Sequence, residues 1–469
     1  MSFYTRRKAI VSATSHPEHQ RLHRTLGWPH LIGLGVGAIV GTGIYTLIGV
    51  GADRAGPAVI LAFLVAGLVC VCAALAYAEL ATMIPASGSA YTYSYSVIGE
   101  GIAWVVGWSL ILEYSVVCSA VAVGWSGYAA GFLLSAGIPL PPALLAGPEA
   151  GGIVNLPAIV ITAAVAGMLL VGTRESATVN AALVVVKILA LAAFVALVLP
   201  AFNSGNFQPF MPYGFTSHLT PGGEVKGVMA AAAIIFFAFY GFDAVSTAAE
   251  EAKNPARDLT IGIIGSMVAC TIIYMVVAAA AVGALPFGDF AKSSEPLAYI
   301  LRTLGHPAMA AMIAAAAVVA LPTVILAFMY GQSRIFFVMA RDGLLPQRLG
   351  RVNSRGTPVA VTIGTAVVVS AIAGFFPLSE IAELANAGTL AAFIAVGACL
   401  LILRRRSPDM PRVFRAPLAP LVGSVAIIGC VYLFISLPSV TQIRFFVWNA
   451  IGLVVYLAYG RFSSRLAGA

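Results

Sequence analysis

The sequence predicts an all-α polytopic membrane protein of twelve transmembrane helices, in which spans 1–5 and 6–10 form two inverted five-helix repeats and spans 11 and 12 are an addition. Three observations carry this. Of 469 residues, 60% are hydrophobic and only 9% charged, where a soluble domain carries about 25% charged residues. Mean hydropathy is +0.96. Apolar runs of about 20 residues, enough to cross a ~30 Å hydrocarbon core, recur from residue 31 to 460. Third, Lys and Arg gather on one side of the connections between those runs. The runs lack the alternation that lipid-exposed strands need.

Taken in order, residues 1–29 are polar and basic (Arg6, Arg7, Lys8, Arg21, Arg24) without an apolar run, and read as a cytoplasmic tail rather than a cleaved leader. Spans 1 (31–50), 2 (57–83), 3 (98–132), 4 (155–172) and 5 (178–200) make the first repeat, residues 30–200. The loop 201–225 is rich in Pro, Gly and Asn. Spans 6 (227–248), 7 (259–285), 8 (307–339), 9 (358–376) and 10 (381–403) make the second, residues 226–403. Spans 11 (416–437) and 12 (442–460) fill residues 416–461. Spans 3 and 8 are long enough to tilt or project into the cytoplasm.

With the N-terminus inside, the tail, Arg174, Lys253, Arg257, the Arg residues of 334–355 and 404–415, Arg461 and Arg465 are cytoplasmic. Only Arg54, Lys226, Lys292, Arg302 and Arg444 fall outside, and Lys187 lies within a span. This bias puts both termini in the cytoplasm of a multi-pass plasma (inner) membrane protein. It also accounts for the net charge of +8 without nucleic acid. An odd number of spans per repeat inverts the second copy, the pattern of secondary transporters. All six cysteines lie in apolar runs with no CxxC or Cys/His cluster, so no metal, cofactor or disulfide framework is expected.

Span 1 contains GLGVGAIVGTG (33–43), although glycine costs a helix about 1 kcal/mol relative to alanine. At the matching place in span 6, FFAFYGFD (236–243) is interrupted by Gly241 and Asp243. Paired interruptions in two halves point to a transporter's binding site. Unwinding frees N–H groups that attract an anion and carbonyls that attract a cation, a combination that suits an α-amino acid. Glycine at 41 and 43 would leave room for the ligand. The competing reading is helix packing through Gly33, Gly37 and Gly41.

An ionisable residue inside a membrane is a functional hypothesis by default. Lys187 is deep enough in span 5 to lose its proton through desolvation; the alternative is snorkelling to the cytoplasmic face. Glu113, midway along span 3, could bind an ammonium, hold a proton or support span 1. Asp243 either caps the second half of span 6 or carries a proton. Glu79 reads as a structural ion pair or an interfacial residue. Phe237 and Tyr240 flank the span 6 break as a gate or as packing.

Several motifs then stand out: GVGAIVGTGIY, YAELATMIPASGSAYTYSY, GWSLILEY, FFAFYGFDAVSTAAEEAKNPARDL, SRIFFVMARDGLLP and RFFVWNAIGLVVYLAYGR. In this order they resemble the amino acid–polyamine–organocation transporter superfamily, and within it the cationic amino acid transporter branch in bacterial form. The resemblance implies the leucine-transporter-type fold with substrate between spans 1, 3, 6, 8 and 10. It implies that Thr42 and Gly43 give N–H groups to the carboxylate, and that carbonyls of Ile39, Phe237, Ala238 and Tyr240 take the ammonium. Phe237 would gate from outside. Lys187 matches the lysine that, in proton-coupled members, takes the place of a sodium ion; it would reach carbonyls near Gly37 and Val40 and the hydroxyl of Thr323.

The expected function is therefore proton-coupled symport of L-amino acids by alternating access, with lipid bilayer, proton and amino acid as partners. Met329 and other apolar residues of span 8 favour neutral substrates such as alanine. A cationic substrate, by uniport or exchange, is the alternative and would need Glu113. A channel should show a continuous polar face, which the spans lack. An intramembrane enzyme would need a nucleophile–base pair or metal ligands, and no catalytic set is found. The residues do not bear on an accessory subunit or a sterol-like lipid.

Overall fold

The computed structural model describes residues 6–10, 27–84, 88–171, 177–247, 252–351 and 359–467. Among these, seven helical runs are long and apolar enough to cross a membrane: Leu47–Met83, Glu100–Ser135, Ala182–Ala201, Arg257–Ala284, Pro307–Arg341, Leu378–Arg406 and Ser439–Ser463. Five apolar helices of 10–17 residues, Trp28–Ile39, Leu156–Leu170, Val228–Phe239, Val359–Phe375 and Ala419–Ile435, fall on the predicted spans 1, 4, 6, 9 and 11. Spans 1 and 6 are short because each is cut in two. The run Leu47–Met83 joins the second half of span 1 to span 2 around Gly56, whose φ of +64° turns the chain. Arg174, the tail residues 1–5 and 11–26, and predicted span ends 172, 248 and 358 lie outside the described residues.

Span 3 (Glu100–Ser135) is the central post, buried along nearly its whole length and packed on spans 10, 8 and 4. Its Ser, Gly and Ala positions let neighbouring backbones approach closely, which is how helices gain packing in lipid. Span 12 is fixed to it by indoles: Trp108 Nε1 donates to the Trp448 carbonyl and Trp448 Nε1 to the Trp108 carbonyl, both at 2.9 Å. Their rings stack at 4.9 Å.

Some elements were not expected. Ser89–Val97 forms a buried helix between spans 2 and 3. A two-stranded hairpin, His218–Leu219 with Val225–Lys226, leads into span 6. Short helices Phe287–Phe290 and Pro296–Thr303 cross the connection between spans 7 and 8.

Buried carboxylates tie the face where span 3 begins. Glu100 receives the hydroxyls of Tyr95 and Tyr456 at 2.9 Å and of Ser464 at 2.6 Å. Asp342 receives Lys8 Nζ and Tyr91 Oη, each at 2.9 Å. Glu79 pairs with Arg404 at 2.7 Å and Arg412 at 3.0 Å, as a structural ion pair. On the opposite face Arg54, at the end of span 1, pairs with Glu383 of span 10.

Candidate functional site

Span 1 is helical from Trp28 to Ile39 and stops where Val40 (ψ 95°) and Gly41 (φ −150°, ψ −145°) leave helical geometry. Bonding resumes when Ile44 and Tyr45 donate to the Gly41 carbonyl at 3.2 and 3.3 Å. The amides of Thr42 and Gly43 therefore begin a new helical segment, outside the ladder of the old one. Span 6 is broken likewise. Its α-helix, Val228–Ile235, tightens into a 3-10 turn, Phe236–Phe239, then Tyr240 is extended (ψ 150°) before Phe242–Thr247 resumes.

The two breaks interlock through glycine. Gly241 has φ +113°, open to a residue without Cβ. A Cβ there would lie 2.6 Å from the Cβ of Ala38, and one on Gly43 would lie 2.3 Å from the Cα of Ala238. Gly43 thus makes room for the other break, and it also lines the cavity between them. A Cβ on Gly41 would meet Val324 at an ordinary 3.4 Å, and one on Gly33 would meet nothing within 4 Å. Close packing in this span falls instead on Gly35, where a Cβ would lie 2.5 Å from Ser266 Oγ.

Between the breaks is a cavity of about 10 Å³, room for about one water. Ile39, Gly41, Thr42 and Gly43 line it from span 1, and Phe237 and Tyr240 from span 6. Val117 and Val121 of span 3 and Val324 and Phe328 of span 8 complete an apolar wall. A larger hollow of about 440 Å³, bounded by Ser135, Arg302 and Pro307, lies at the far ends of spans 3 and 8, away from both breaks.

Lys187 is buried beside the first half of span 1. Its Nζ donates to the Gly37 carbonyl at 2.8 Å and to Thr323 Oγ1 at 3.3 Å. Thr323 Oγ1 in turn donates to the Ala320 carbonyl at 2.7 Å. Lys187, Gly37 and Thr323 are thus brought together, with Val40 at the break beyond. Asp243 lies just past the span 6 break, where its carboxylate accepts from the Gly241 amide and Tyr114 Oη, both at 3.2 Å. Glu113 is buried but outside the cavity lining, against Gly388, and its Oε2 has no hydrogen-bond partner among the described residues. Thr42 Oγ1 is likewise buried without a partner among the described residues. Met329 is buried and does not line the cavity.

Two polar side chains at the breaks were missed. Tyr274 of span 7 places its hydroxyl 2.7 Å from the Ile39 carbonyl and 2.9 Å from that of Ala238, two carbonyls expected to take an ammonium. Asn386 of span 10 bonds to the Ala233 and Ile234 carbonyls and accepts from Tyr240 Oη. The available signal was a lone polar residue within an apolar span, which gives a location without a partner.

Comparison with known proteins places the chain among membrane transporters. A family model described as amino acid permease matches residues 26–458. The chain is 45% identical to the branched-chain amino acid permease BcaP of Bacillus subtilis (strain 168), over 97% of each chain. It is 39% identical to the methylthioribose transporter of the same organism, over 99% of this chain and all of that one. To cationic amino acid transporter 2, vacuolar, of Arabidopsis thaliana it is 38% identical, over 86% of this chain and 63% of that one.

Proposed function

The chain belongs to the amino acid permease family of the amino acid–polyamine–organocation superfamily, and from that premise we propose that it is a proton-coupled symporter of neutral L-amino acids with aliphatic side chains. It works by alternating access through twelve spans in a five-plus-five inverted arrangement, with both termini cytoplasmic. The observation that carries the reading is the cavity itself: main chain from two broken spans on one side, Val117, Val121, Val324 and Phe328 on the other. Amides of Thr42 and Gly43 take the carboxylate, nearby carbonyls take the ammonium, and the aliphatic wall takes the side chain. The name of the Bacillus branched-chain relative supports that choice. A cationic side chain would want an acid in the wall, and Glu113 stands outside it.

Lys187 supports the coupling. As an ammonium it holds the Gly37 carbonyl, three residues before the break. Loss of its proton removes the charge from that bond and loosens the first half of span 1. A proton is then a ligand of the closed arrangement, linked to substrate through span 1.

Purified transporter in proteoliposomes tests this, with labelled leucine, alanine, arginine and methylthioribose. Uptake of leucine and alanine, accelerated by an inward proton gradient and indifferent to sodium, is expected. Sodium dependence without a response to the proton gradient would overturn the role of Lys187. Preference for arginine or methylthioribose would overturn the substrate class.

A further inference from the structure

We propose that Asn386 is a positioning residue that sets the selectivity of the cavity by holding the span 6 break from behind; the proposal rests on reading the cavity as an amino acid site. Asn386 is fully buried on span 10. Its Nδ2 donates to the Ala233 carbonyl at 2.5 Å and to the Ile234 carbonyl at 3.1 Å. These carbonyls lie in the last turn of the first half of span 6, where the ladder tightens into the 3-10 turn and the Ile234 carbonyl also accepts a main-chain amide. Its Oδ1 accepts from Tyr240 Oη. One amide therefore grips the chain on both sides of the 3-10 turn Phe236–Phe239, with both donors and the acceptor in use.

That turn carries Phe237 and Ala238, and Tyr240 follows it. Tyr240 lines the cavity, and its ring is tilted against that of Phe237 at 5.1 Å. Asn386 is not part of the lining, so the bond to it turns the Tyr240 hydroxyl away from the cavity and toward span 10. Asn386 thus does two things. It fixes the register of the turn against span 1, and it keeps the Tyr240 hydroxyl away from the apolar wall of Val117, Val121, Val324 and Phe328. Without it, Tyr240 loses its acceptor. A buried hydroxyl whose hydrogen has lost its acceptor is unfavourable, and a hydroxylated substrate in the cavity can accept that hydrogen once the ring is free to turn.

The test compares leucine with threonine in proteoliposomes of monodisperse transporter. Asn386→Ala should raise KM for leucine about tenfold, keep Vmax per transporter within about twofold, and raise the threonine-to-leucine ratio of kcat/KM about tenfold. The double variant Tyr240→Phe/Asn386→Ala lacks the freed hydroxyl and should return that ratio to the wild-type value. A fall in Vmax shared equally by both substrates, with KM unchanged, would reduce Asn386 to a packing residue and overturn the proposal. So would a threonine gain that survives in the double variant. Should Asn386→Ala fail to yield folded transporter, Asn386→Gln keeps the amide one methylene out of place; the same shifts in KM and ratio are expected, and their absence overturns the idea. Wild-type transporter that carries neither amino acid would instead sink the reading of the site beneath it.

Discussion

At the scale of single residues, the site is a set of main-chain groups completed by side chains from neighbouring spans. Lys187 completes the Gly37 carbonyl at 2.8 Å, and its charge is what makes that bond strong. Lys187→Met keeps the length and apolar stem but removes the charge, so gradient-driven leucine uptake should fall at least about tenfold. Uptake with the same gradient dependence as wild type would remove Lys187 from the mechanism. Tyr274 completes the Ile39 and Ala238 carbonyls with one hydroxyl. In Tyr274→Phe these lose that donor, at a cost of about 1–3 kcal/mol, and a substrate ammonium recovers more of that loss than in wild type. The variant should melt a few degrees lower in detergent, and saturating leucine should raise its Tm by more than it raises the wild type's. An equal leucine shift in both proteins would mean that the ammonium goes elsewhere.

At the scale of elements, the two breaks are legible in sequence but their fit is not. Glycine clusters and the FYGFD interruption mark where spans 1 and 6 come apart, because a helix penalises glycine whatever its neighbours are. Which glycine matters depends on what it faces. A Cβ on Gly43 would lie 2.3 Å from backbone of the other break, whereas one on Gly33 would meet nothing within 4 Å. Gly43→Ala should therefore destabilise by about 1–3 kcal/mol through overpacking and abolish substrate binding. Gly33→Ala should be neutral or stabilise by up to about 1 kcal/mol through helix propensity. Thermal melts and leucine binding on both variants check this; equal effects would deny the interlock. Lys187 was legible as a lysine deep in an apolar span, but its partners Gly37 and Thr323 came from the family resemblance and not from the spacing. Asn386 and Tyr274 were not legible, since short polar side chains find partners on other spans and carry no periodic signature. The helix Ser89–Val97 was hidden for a similar reason: SAYTYSYSV is too polar to read as core, yet all nine residues are buried.

At the scale of the whole molecule, a cavity with room for about one water is too small for an amino acid, so substrate must enter through a different arrangement. Ion pairs tie both faces. The face where span 3 begins carries Glu79, Glu100 and Asp342, each with two or more partners from separate segments. Across the opposite face, the second half of span 1 is tied to span 10 by Arg54 with Glu383, which also accepts from Thr441 at 3.0 Å. Opening on that side has to part this pair, because Arg54 ends the very segment that lines the cavity. Glu383→Gln keeps the shape and removes the charge. Each ~1.4 kcal/mol taken from the closed state raises the open population about tenfold. With the six native cysteines replaced, Val121→Cys in the cavity wall should react about tenfold faster with an impermeant thiol reagent added outside when Glu383→Gln is also present, and saturating leucine should slow both. An unchanged rate would show that the far side is held by other contacts, the hairpin and the two short helices before span 8 being the next to test.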